Sequence, residues 1–202
     1  MDPQRPTAAL LIWAYTRGIF PMVHDRSGEV EWYSPDPRGV FPLDAFHVPR
    51  RLERVLRSER FEIRTDTAFE DVMRACAEAR PSRPSTWLDE RLIRAYVDLH
   101  QMGAAHSVEA WREHQLVGGV YGVHLGKAFF GESMFHRPER GGTDASKVCL
   151  ASLVQTLRAH DFELFDTQFW NPHLDQFGCV EISRAEYLAR LERALAGRAS
   201  WI

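Results

Sequence analysis

Three strand patterns in close succession constrain the fold of this chain more than any other feature. They cover residues 106–112, 115–124 and 127–135, and the connections between them are as short as hairpin turns. Residues two apart on such a strand share one face of a sheet. The sequence therefore predicts a β-sheet built around three consecutive strands joined by hairpins.

Helical and strand patterns on both sides of these strands set the order of the fold. The predicted helices span residues 7–17, 48–59, 66–79, 89–102, 146–160 and 185–196, and further strands are predicted at 61–64 and 162–168. The helix at 66–79 is expected to begin at the capping residues Thr65 and Asp66. From residue 61 the predicted order is β-α-α-β-β-β-α-β.

This element order is that of the acyl-CoA N-acyltransferase (GNAT-like) fold. The fold suggests transfer of an acyl group to an amine, but only by analogy. The sequence predicts an α+β protein with a GNAT-like mixed sheet flanked by helices over residues 46–202. Residues 1–45, rich in proline and aromatic side chains, predict a small N-terminal α+β subdomain. The glycines within 136–144 are wrongly spaced for a pyrophosphate loop, so no CoA and no other cofactor is expected.

Asp166 and Gln168 end the last predicted strand, immediately before Asn171-Pro172-His173. Their spacing places both side chains on one face, at the edge of the sheet where α/β proteins bind ligands. A carboxylate beside an amide is costly to bury unless it has a partner. A strand end that simply reaches solvent, followed by a turn at Asn171-Pro172, is the structural alternative.

Composition excludes several classes of protein. The 202 residues carry a formal net charge of −3, which excludes an overall basic nucleic-acid binder but allows a local basic patch. No apolar run approaches the roughly 20 residues of a membrane span. Three widely separated cysteines fit reduced thiols in a cytoplasmic protein, and no Cys/His spacing suggests a metal site.

An ordered series of short motifs resembles the leucyl/phenylalanyl-tRNA–protein transferase family. The motifs lie at Gly18–Pro21, Trp32–Arg38, Thr86–Leu88, His106–Glu109, Leu116–Gly122, Gly131–Phe135, Ala145–Lys147, Asp166–Gln168 and Asn171–His173. The resemblance extends from about residue 8 to residue 195. It implies transfer of leucine, phenylalanine or methionine from the 3′ end of aminoacyl-tRNA to proteins with N-terminal Arg or Lys, marking them for degradation.

The resemblance also assigns roles to residues in this sequence. Asp166 and Gln168 match the catalytic residues that manage the proton of the attacking α-amine. Because a neutral amide is a poor base, Gln168 is expected mainly to orient the amine. Asp166 or the leaving ribose oxygen then remains as the final proton acceptor. Glu132 matches the acceptor-binding carboxylate, and an internal ion pair with Lys147 is its structural alternative.

The donor side is expected to combine stacking with apolar contact. Trp87 matches an aromatic residue that stacks on the terminal adenosine, although it could instead cover a small apolar cluster. Met134, Val120 and Phe165 are expected around the aminoacyl group. Gly118 and its neighbouring glycines are expected either to let the tRNA end approach the strand or to form a bulge.

Local basic charge predicts the tRNA contacts. Arg50, Arg54 and Arg57 share one helical stripe, as phosphate contacts would require, although a solvated helix face is an equal alternative. We expect a monomer without membrane or metal partners. His106 is expected to be a core histidine with a hydrogen-bond partner.

Some features depart from the family pattern. Met22 stands where the family usually has tryptophan, and the Gly-Gly-Asp-containing segment before the first helix is missing, so the N-terminal part is expected to be truncated. Val120 and Phe165 also replace more common residues. Two alternatives therefore remain: a tRNA-dependent aminoacyltransferase with another amine acceptor, and a non-catalytic RNA- or peptide-binding derivative.

Overall fold

The computed structural model describes residue 2, residues 4–79 and residues 86–201. The helices are α1 (Ala8–Tyr15), α2 (Arg50–Arg57), α3 (Phe69–Ala77), α4 (Glu90–Gln101), α5 (Ala145–Ala159), α6 (Pro172–Asp175) and α7 (Arg184–Ala196). The strands are β1 (Phe20–Val23), β2 (Val30–Tyr33), β3 (Arg38–Phe41), β4 (Glu62–Thr65), β5 (Ala105–Arg112), β6 (Gln115–Leu125), β7 (Ala128–His136), β8 (Leu164–Gln168) and β9 (Val180–Ile182). The proline-rich loop before Trp87 lies outside the described residues.

A seven-stranded mixed sheet organises the fold in the order β4-β5-β6-β7-β8-β3-β9. Strands β7 and β8 are parallel, and the other neighbouring pairs are antiparallel. Strands β1 and β2 form a separate two-stranded sheet. From β4 onward the helices and strands follow the predicted order, so the predicted α+β, GNAT-like fold is confirmed.

Strand β3 joins the N-terminal part of the chain to the main sheet. It lies between β8 and β9, although it precedes the subdomain boundary expected after residue 45. That boundary stays a prediction. Strand β9, three residues long, had no counterpart among the predicted elements. The N-terminal segment therefore contributes one of the two strands that flank β8.

The start of α3 differs from the prediction. The helix begins at Phe69, and Asp66 has a left-handed backbone with φ of 58°. The Asp66 carboxylate accepts hydrogen bonds from the Ser107 N–H, 2.8 Å away, and lies 2.8 Å from His106 Nδ1. Asp66 therefore fastens the loop to β5 rather than capping α3.

Two apolar clusters cover the two faces of the main sheet. Helices α1, α3, α4 and α7 contribute to the first cluster, and α5 contributes to the second. The neighbouring residues Phe129 and Phe130 on β7 belong to different clusters, as the alternation of side chains along a strand requires. No described helix has the length and apolar composition needed to cross a bilayer.

Close packing of α5 on β6 explains one of the strand glycines. A Cβ atom at Gly118 would lie 2.5 Å from the Cβ of Ala145, a distance that real side chains do not reach. The expectation that Gly118 opens the strand to tRNA is therefore wrong, because the helix already occupies that space. Glycine at this position lets α5 approach the sheet.

Candidate active site

A cavity of about 300 Å³ opens where β7 and β8 separate. Paired residues on the two strands end at Phe130 and Asp166, whereas β7 continues to His136. Residues of β7 after Phe130 and the last two residues of β8 line the gap. Its apolar wall includes Phe20, Phe41, Val120, Met134, Leu150 and Phe165. The divergence of two parallel strands thus creates a site with mainly apolar walls.

Glu132 on β7 brings a carboxylate to this cavity. Oε1 accepts hydrogen bonds from the Tyr15 hydroxyl at 2.6 Å and from Gln168 Nε2 at 3.0 Å. Oε2 accepts one from the Tyr96 hydroxyl at 3.3 Å. Burial raises the pKa of Glu132 to about 7, the Tyr15 hydrogen bond opposes this rise, and the negative charge of Asp166 adds to it. Glu132 therefore changes its charge near neutral pH.

Asp166 lies behind the cavity wall in a different environment. Its side chain and that of Arg38 are both fully buried, and Arg38 binds it with Nε at 2.9 Å and Nη2 at 2.6 Å. The Tyr187 hydroxyl donates a further hydrogen bond of 2.7 Å. Both oxygens are engaged by donors, so Asp166 forms a satisfied buried ion pair.

Gln168 connects the two carboxylates. Its backbone N–H donates to Asp166 Oδ1 at 2.8 Å, and its side-chain Nε2 donates to Glu132. The backbone at Gln168 has a φ of 61°, which is uncommon for a residue other than glycine. Asp166 and Gln168 are adjacent as expected, but Asp166 contacts the backbone of Gln168 rather than its amide side chain. Asp166 therefore fixes the position of Gln168.

The residues expected on the donor side lie around the same cavity. Trp87, Met134, Val120 and Phe165 all line it, together with Glu132 and Gln168. The N–H of Val23 on β1 donates to the Trp87 carbonyl at 2.9 Å, which holds Trp87 beside the N-terminal hairpin. Five of these residues come from four separate sequence motifs, and together with Phe165 they meet at one cavity.

The arginines of α2 form a separate surface. Arg54 lines a shallow depression with Arg51 and Arg60, outside the cavity. Arg57 lies 3.7 Å from Glu53, one turn earlier on the same helix. Arg50 is exposed at the first turn of α2. The three predicted tRNA contacts share an exposed helix but do not belong to the cavity.

Two alternatives from the sequence have clear outcomes. Lys147 lies 3.1 Å from Asp144 at the start of α5, so it pairs there instead of with Glu132. His106 is buried and hydrogen-bonded to Asp66, as expected for a core histidine. With His100, these two residues bring potential metal-ligand atoms within 4.8 Å of one another. The Asp66–His106 hydrogen bond accounts for two members of this group, and His100 Nδ1 instead lies 2.8 Å from the Ala105 carbonyl oxygen.

Sequence patterns missed four residues that hold the site. Arg38 lies in a proline-rich segment, and Tyr15, Tyr96 and Tyr187 lie on predicted helices, and none of the four was expected at the site. A tyrosine in the buried stripe of a helix carries a hydroxyl that needs a partner. That requirement was the available signal, but the partner could be identified only from the three-dimensional arrangement.

Comparison with protein families and relatives gives a consistent result. A family model described as leucyl/phenylalanyl-tRNA protein transferase matches residues 40–192, and a model of the N-terminal domain of that family matches residues 5–36. The leucyl/phenylalanyl-tRNA–protein transferase of Paramagnetospirillum magneticum is 57% identical over 191 residues, covering 94% of this chain and 90% of the relative. The corresponding protein of Gloeobacter violaceus is 55% identical over 190 residues, covering 94% of each chain.

Solved structures show more distant similarity. A ribosomal-protein-alanine N-acetyltransferase from Brucella melitensis biovar Abortus shares 19% identity with a TM-score of 0.40, covering 57% of this chain and 85% of that one. A conserved protein of unknown function from Staphylococcus epidermidis shares 15% identity with a TM-score of 0.44, covering 87% of this chain and 64% of that one.

Proposed function

Because this chain belongs to the leucyl/phenylalanyl-tRNA protein transferase family, it is an aminoacyltransferase, and we propose that transfer takes place in the cavity at Glu132 and Gln168. The donor is aminoacyl-tRNA carrying leucine, phenylalanine or methionine. The acceptor is the α-amine of a protein whose first residue is Arg or Lys, and transfer marks that protein for degradation. Because the donor is a substrate of translation, the proposed compartment is the cytoplasm.

One observation carries this proposal: a carboxylate held by two tyrosines, and an amide held through Asp166 by an arginine and a third tyrosine, reach a mainly apolar cavity. The apolar wall suits an uncharged aminoacyl side chain, with Val120, Met134 and Phe165 around it. Trp87 offers a ring on which the terminal adenine stacks, worth roughly 1–3 kcal/mol. The donor thus uses the apolar part of the cavity.

The acceptor uses the charged end. An incoming N-terminal residue brings an ammonium group and, for Arg or Lys, a second cation. Glu132 supplies the negative charge in a partly buried position, where an ion pair is less screened than at the surface. A protein beginning with a neutral residue lacks the second cation, which explains the proposed preference.

The chemistry requires few groups because the aminoacyl ester is already activated. An α-ammonium has a pKa near 8, so it must lose a proton before it attacks. Glu132, with a pKa of about 7, takes that proton. The Gln168 carbonyl oxygen is free to orient the amine, because Nε2 already donates to Glu132. A nitrogen–carbon bond forms, the ester bond breaks, and the ribose oxygen takes the proton that the nitrogen releases.

Asp166 acts through Gln168 in this scheme. Its ion pair with Arg38 and its hydrogen bond to the Gln168 N–H hold the amide at the cavity. The basic surface of α2, with Arg50, Arg54 and Arg57, attracts the tRNA backbone outside the cavity. We expect no base-specific contacts to the body of the tRNA.

Single-turnover transfer from Leu-tRNA to an Arg-initiated peptide tests the proposal. Gln168→Ala should lower the rate by roughly 10²-fold, because the amine is no longer oriented toward the ester, while tRNA affinity stays close to that of the wild type. Gln101→Ala, an exposed glutamine at the end of α4, is the matched control. A near-normal rate in Gln168→Ala would overturn the assignment. Transfer to Ser-initiated peptides at the same rate would favour the alternative of a different amine acceptor.

A further inference from the structure

A second depression adjoins the cavity at the β1–β2 hairpin. Its volume is about 280 Å³, and it is lined by Met22, Val23, His24, Asp25, Tyr33 and Trp87. Met22 and Trp87 also line the main cavity. The two spaces are therefore neighbours across one pair of side chains, and a ligand in the first can extend into the second.

Backbone hydrogen bonds give this depression a fixed shape. Val23 pairs with Val30 across the hairpin and donates its N–H to the Trp87 carbonyl at 2.9 Å. The turn is closed by Gly28, whose N–H donates to the His24 carbonyl at 2.9 Å. Trp87 is thus held against the edge of β1, so the shared wall is part of the folded structure.

The side chains in the depression suit a flat aromatic ring. Tyr33 packs against Phe20 with ring centroids 6.0 Å apart and an angle of 25° between the planes. Nδ1 of His24 accepts hydrogen bonds from the backbone N–H of Arg26 at 3.3 Å and of Ser27 at 3.4 Å. This arrangement assigns the proton of the neutral imidazole to Nε2, which can donate to a ring acceptor.

The charge of the hairpin argues against a phosphate site. The exposed charged side chains of the hairpin are Asp25, Glu29 and Glu31 against Arg26 alone, so it is acidic. A phosphate in the depression would be repelled by Asp25, which offsets any attraction by Arg26. An uncharged base would not be repelled. Aromatic rings at two sides of the depression and the acidic hairpin therefore fit stacking of an uncharged base rather than anion binding.

We propose that this depression binds the base of the penultimate nucleotide of aminoacyl-tRNA, with Tyr33 as its stacking partner. The inference rests on the proposed function, in which the terminal adenosine contacts Trp87 in the main cavity. Trp87 and Met22 line both spaces, so a nucleotide joined to that adenosine can reach the depression across them. The acceptor is excluded because Glu132, which attracts its ammonium group, lines the main cavity and not the depression.

Stable amide-linked analogues test this without any transfer chemistry. Leucyl-adenosine is compared with leucyl-adenosine extended by a 5′-linked cytidine, and with the same dinucleotide lacking the cytosine base. Fluorescence or calorimetric titration should show that the cytosine tightens binding about tenfold, the order expected for one stacked base. Tyr33→Leu should lose this gain, and Tyr33→Phe, which keeps the ring, should retain it.

Each outcome has a distinct meaning. If the base-lacking dinucleotide binds the wild type as tightly as the complete one, the inference is overturned while the proposed function stands. If Tyr33→Leu weakens leucyl-adenosine and the dinucleotide equally, Tyr33 only shapes the cavity, which also overturns it. If no analogue binds the wild type at all, the proposed function fails and the inference with it.

Discussion

At the scale of single residues, the two neighbouring carboxylates Glu132 and Asp166 differ in the groups that surround them. Asp166 faces the guanidinium of Arg38, whereas Glu132 faces hydroxyl and amide donors. The first is paired with a buried cation, and burial raises the pKa of the second to about 7. Glu132 is therefore the member of the pair that can exchange protons during a reaction.

The pKa of Glu132 gives a signed pH prediction. Below about pH 7 the carboxyl becomes neutral and loses its attraction for the acceptor, so the KM for an Arg-initiated peptide should rise as the pH falls. Glu132→Gln should show a high KM at every pH, with a cost on the order of 2–3 kcal/mol above pH 7. The amine of the peptide titrates identically in both assays, so its effect cancels in the ratio of variant to wild-type KM. The pH range from 6 to 8 extends roughly one unit to either side of that pKa. A KM ratio that does not change across this range would contradict the role of Glu132 in binding the acceptor.

The same pKa predicts how stability depends on pH. The folded value of about 7 lies above the ordinary value of 4.5, so the folded state binds more protons than the unfolded state between these values. The contribution of Glu132 to the free energy of unfolding should therefore fall as the pH rises through that interval. Glu132→Gln should lack this component in denaturant titrations at several pH values. An unchanged slope would show that Glu132 is already ionised in the folded protein.

The buried Arg38–Asp166 pair predicts strong coupling between two substitutions. Asp166→Ala leaves a buried guanidinium without its partner, which should lower the free energy of unfolding by about 3–5 kcal/mol. Arg38→Ala should cost a similar amount, and the double variant should cost much less than the sum. Denaturant titration of all four proteins measures the coupling. Additive effects would show that the pair contributes through separate contacts.

Sequence patterns located the polar residues of this site but not the four side chains that hold them. Asp166, Gln168 and Glu132 stand out because polar side chains interrupt strands. Arg38 is 128 residues from Asp166 and lies between prolines, where nothing local indicates burial. Its role depends on β3 pairing beside β8. Long-range strand pairing leaves no periodic trace in the sequence of a four-residue strand.

At the scale of secondary-structure elements, α3 depends on a carboxylate from another element. Ala68, the residue before α3, offers no side-chain cap. Glu109 on β5 is fully buried and accepts hydrogen bonds from the backbone N–H of Thr67 and of Ala68, both at 2.9 Å. The negative charge also lies near the positive end of the helix dipole. Helix α3 is thus fastened to the sheet at its first turn.

Replacing this carboxylate should destabilise the protein without touching the cavity. Glu109→Gln turns one acceptor oxygen into a donor that faces other donors, so the free energy of unfolding should fall by about 2–4 kcal/mol. Hydrogen exchange should speed up first in α3. Glu113→Gln is the control, because its side chain is 81% exposed beside Arg112, and it should change stability by less than about 0.5 kcal/mol.

The exposed arginines of α2 give a second prediction at this scale. Arg54→Ala combined with Arg57→Ala should weaken the binding of whole tRNA and lower its salt dependence by roughly one to two counterions. Binding of leucyl-adenosine should not change, because α2 lies outside the cavity. Arg193→Ala with Arg198→Ala, two exposed arginines near the other end of the chain, is the control. An effect on leucyl-adenosine would show that α2 shapes the cavity instead.

Local signals predicted most elements, and the failures have physical reasons. The hairpin strands β5, β6 and β7 were found because adjacent segments pair with short turns. Strand β9 was missed because three residues are too few to show a period. Thr65 and Asp66 have the composition of a helix cap, but contacts to β5 outweigh it. Composition gives the available partners, and tertiary contacts decide which partner is used.

At the scale of the whole molecule, the second apolar cluster is completed by the last described residue. Trp201 is 6% exposed and stacks on His106 at 4.3 Å and on Phe129 at 5.4 Å. The N–H of Ala199 donates to the Gly126 carbonyl at 3.1 Å, which holds this segment against the β6–β7 turn. The C-terminal segment is therefore part of the core rather than an appendage.

Trp201 predicts a large effect on folding with little effect on the site. Trp201→Ala should lower the free energy of unfolding by about 3–5 kcal/mol, the usual cost of removing a buried large aromatic. KM for both substrates should stay near the wild-type values at temperatures where the variant is folded. Trp13→Ala, at a position 43% exposed, is the control and should cost much less. Equal losses in the two variants would contradict this account.

The apolar wall of the cavity has a consequence for a competing nucleophile. An aminoacyl ester is open to hydrolysis, and each hydrolysed molecule wastes the energy spent on charging the tRNA. Water is held poorly by side chains such as Phe41, Leu150 and Phe165, which offer it no hydrogen bonds. The same walls that accept the leucyl group therefore protect the ester until an amine arrives.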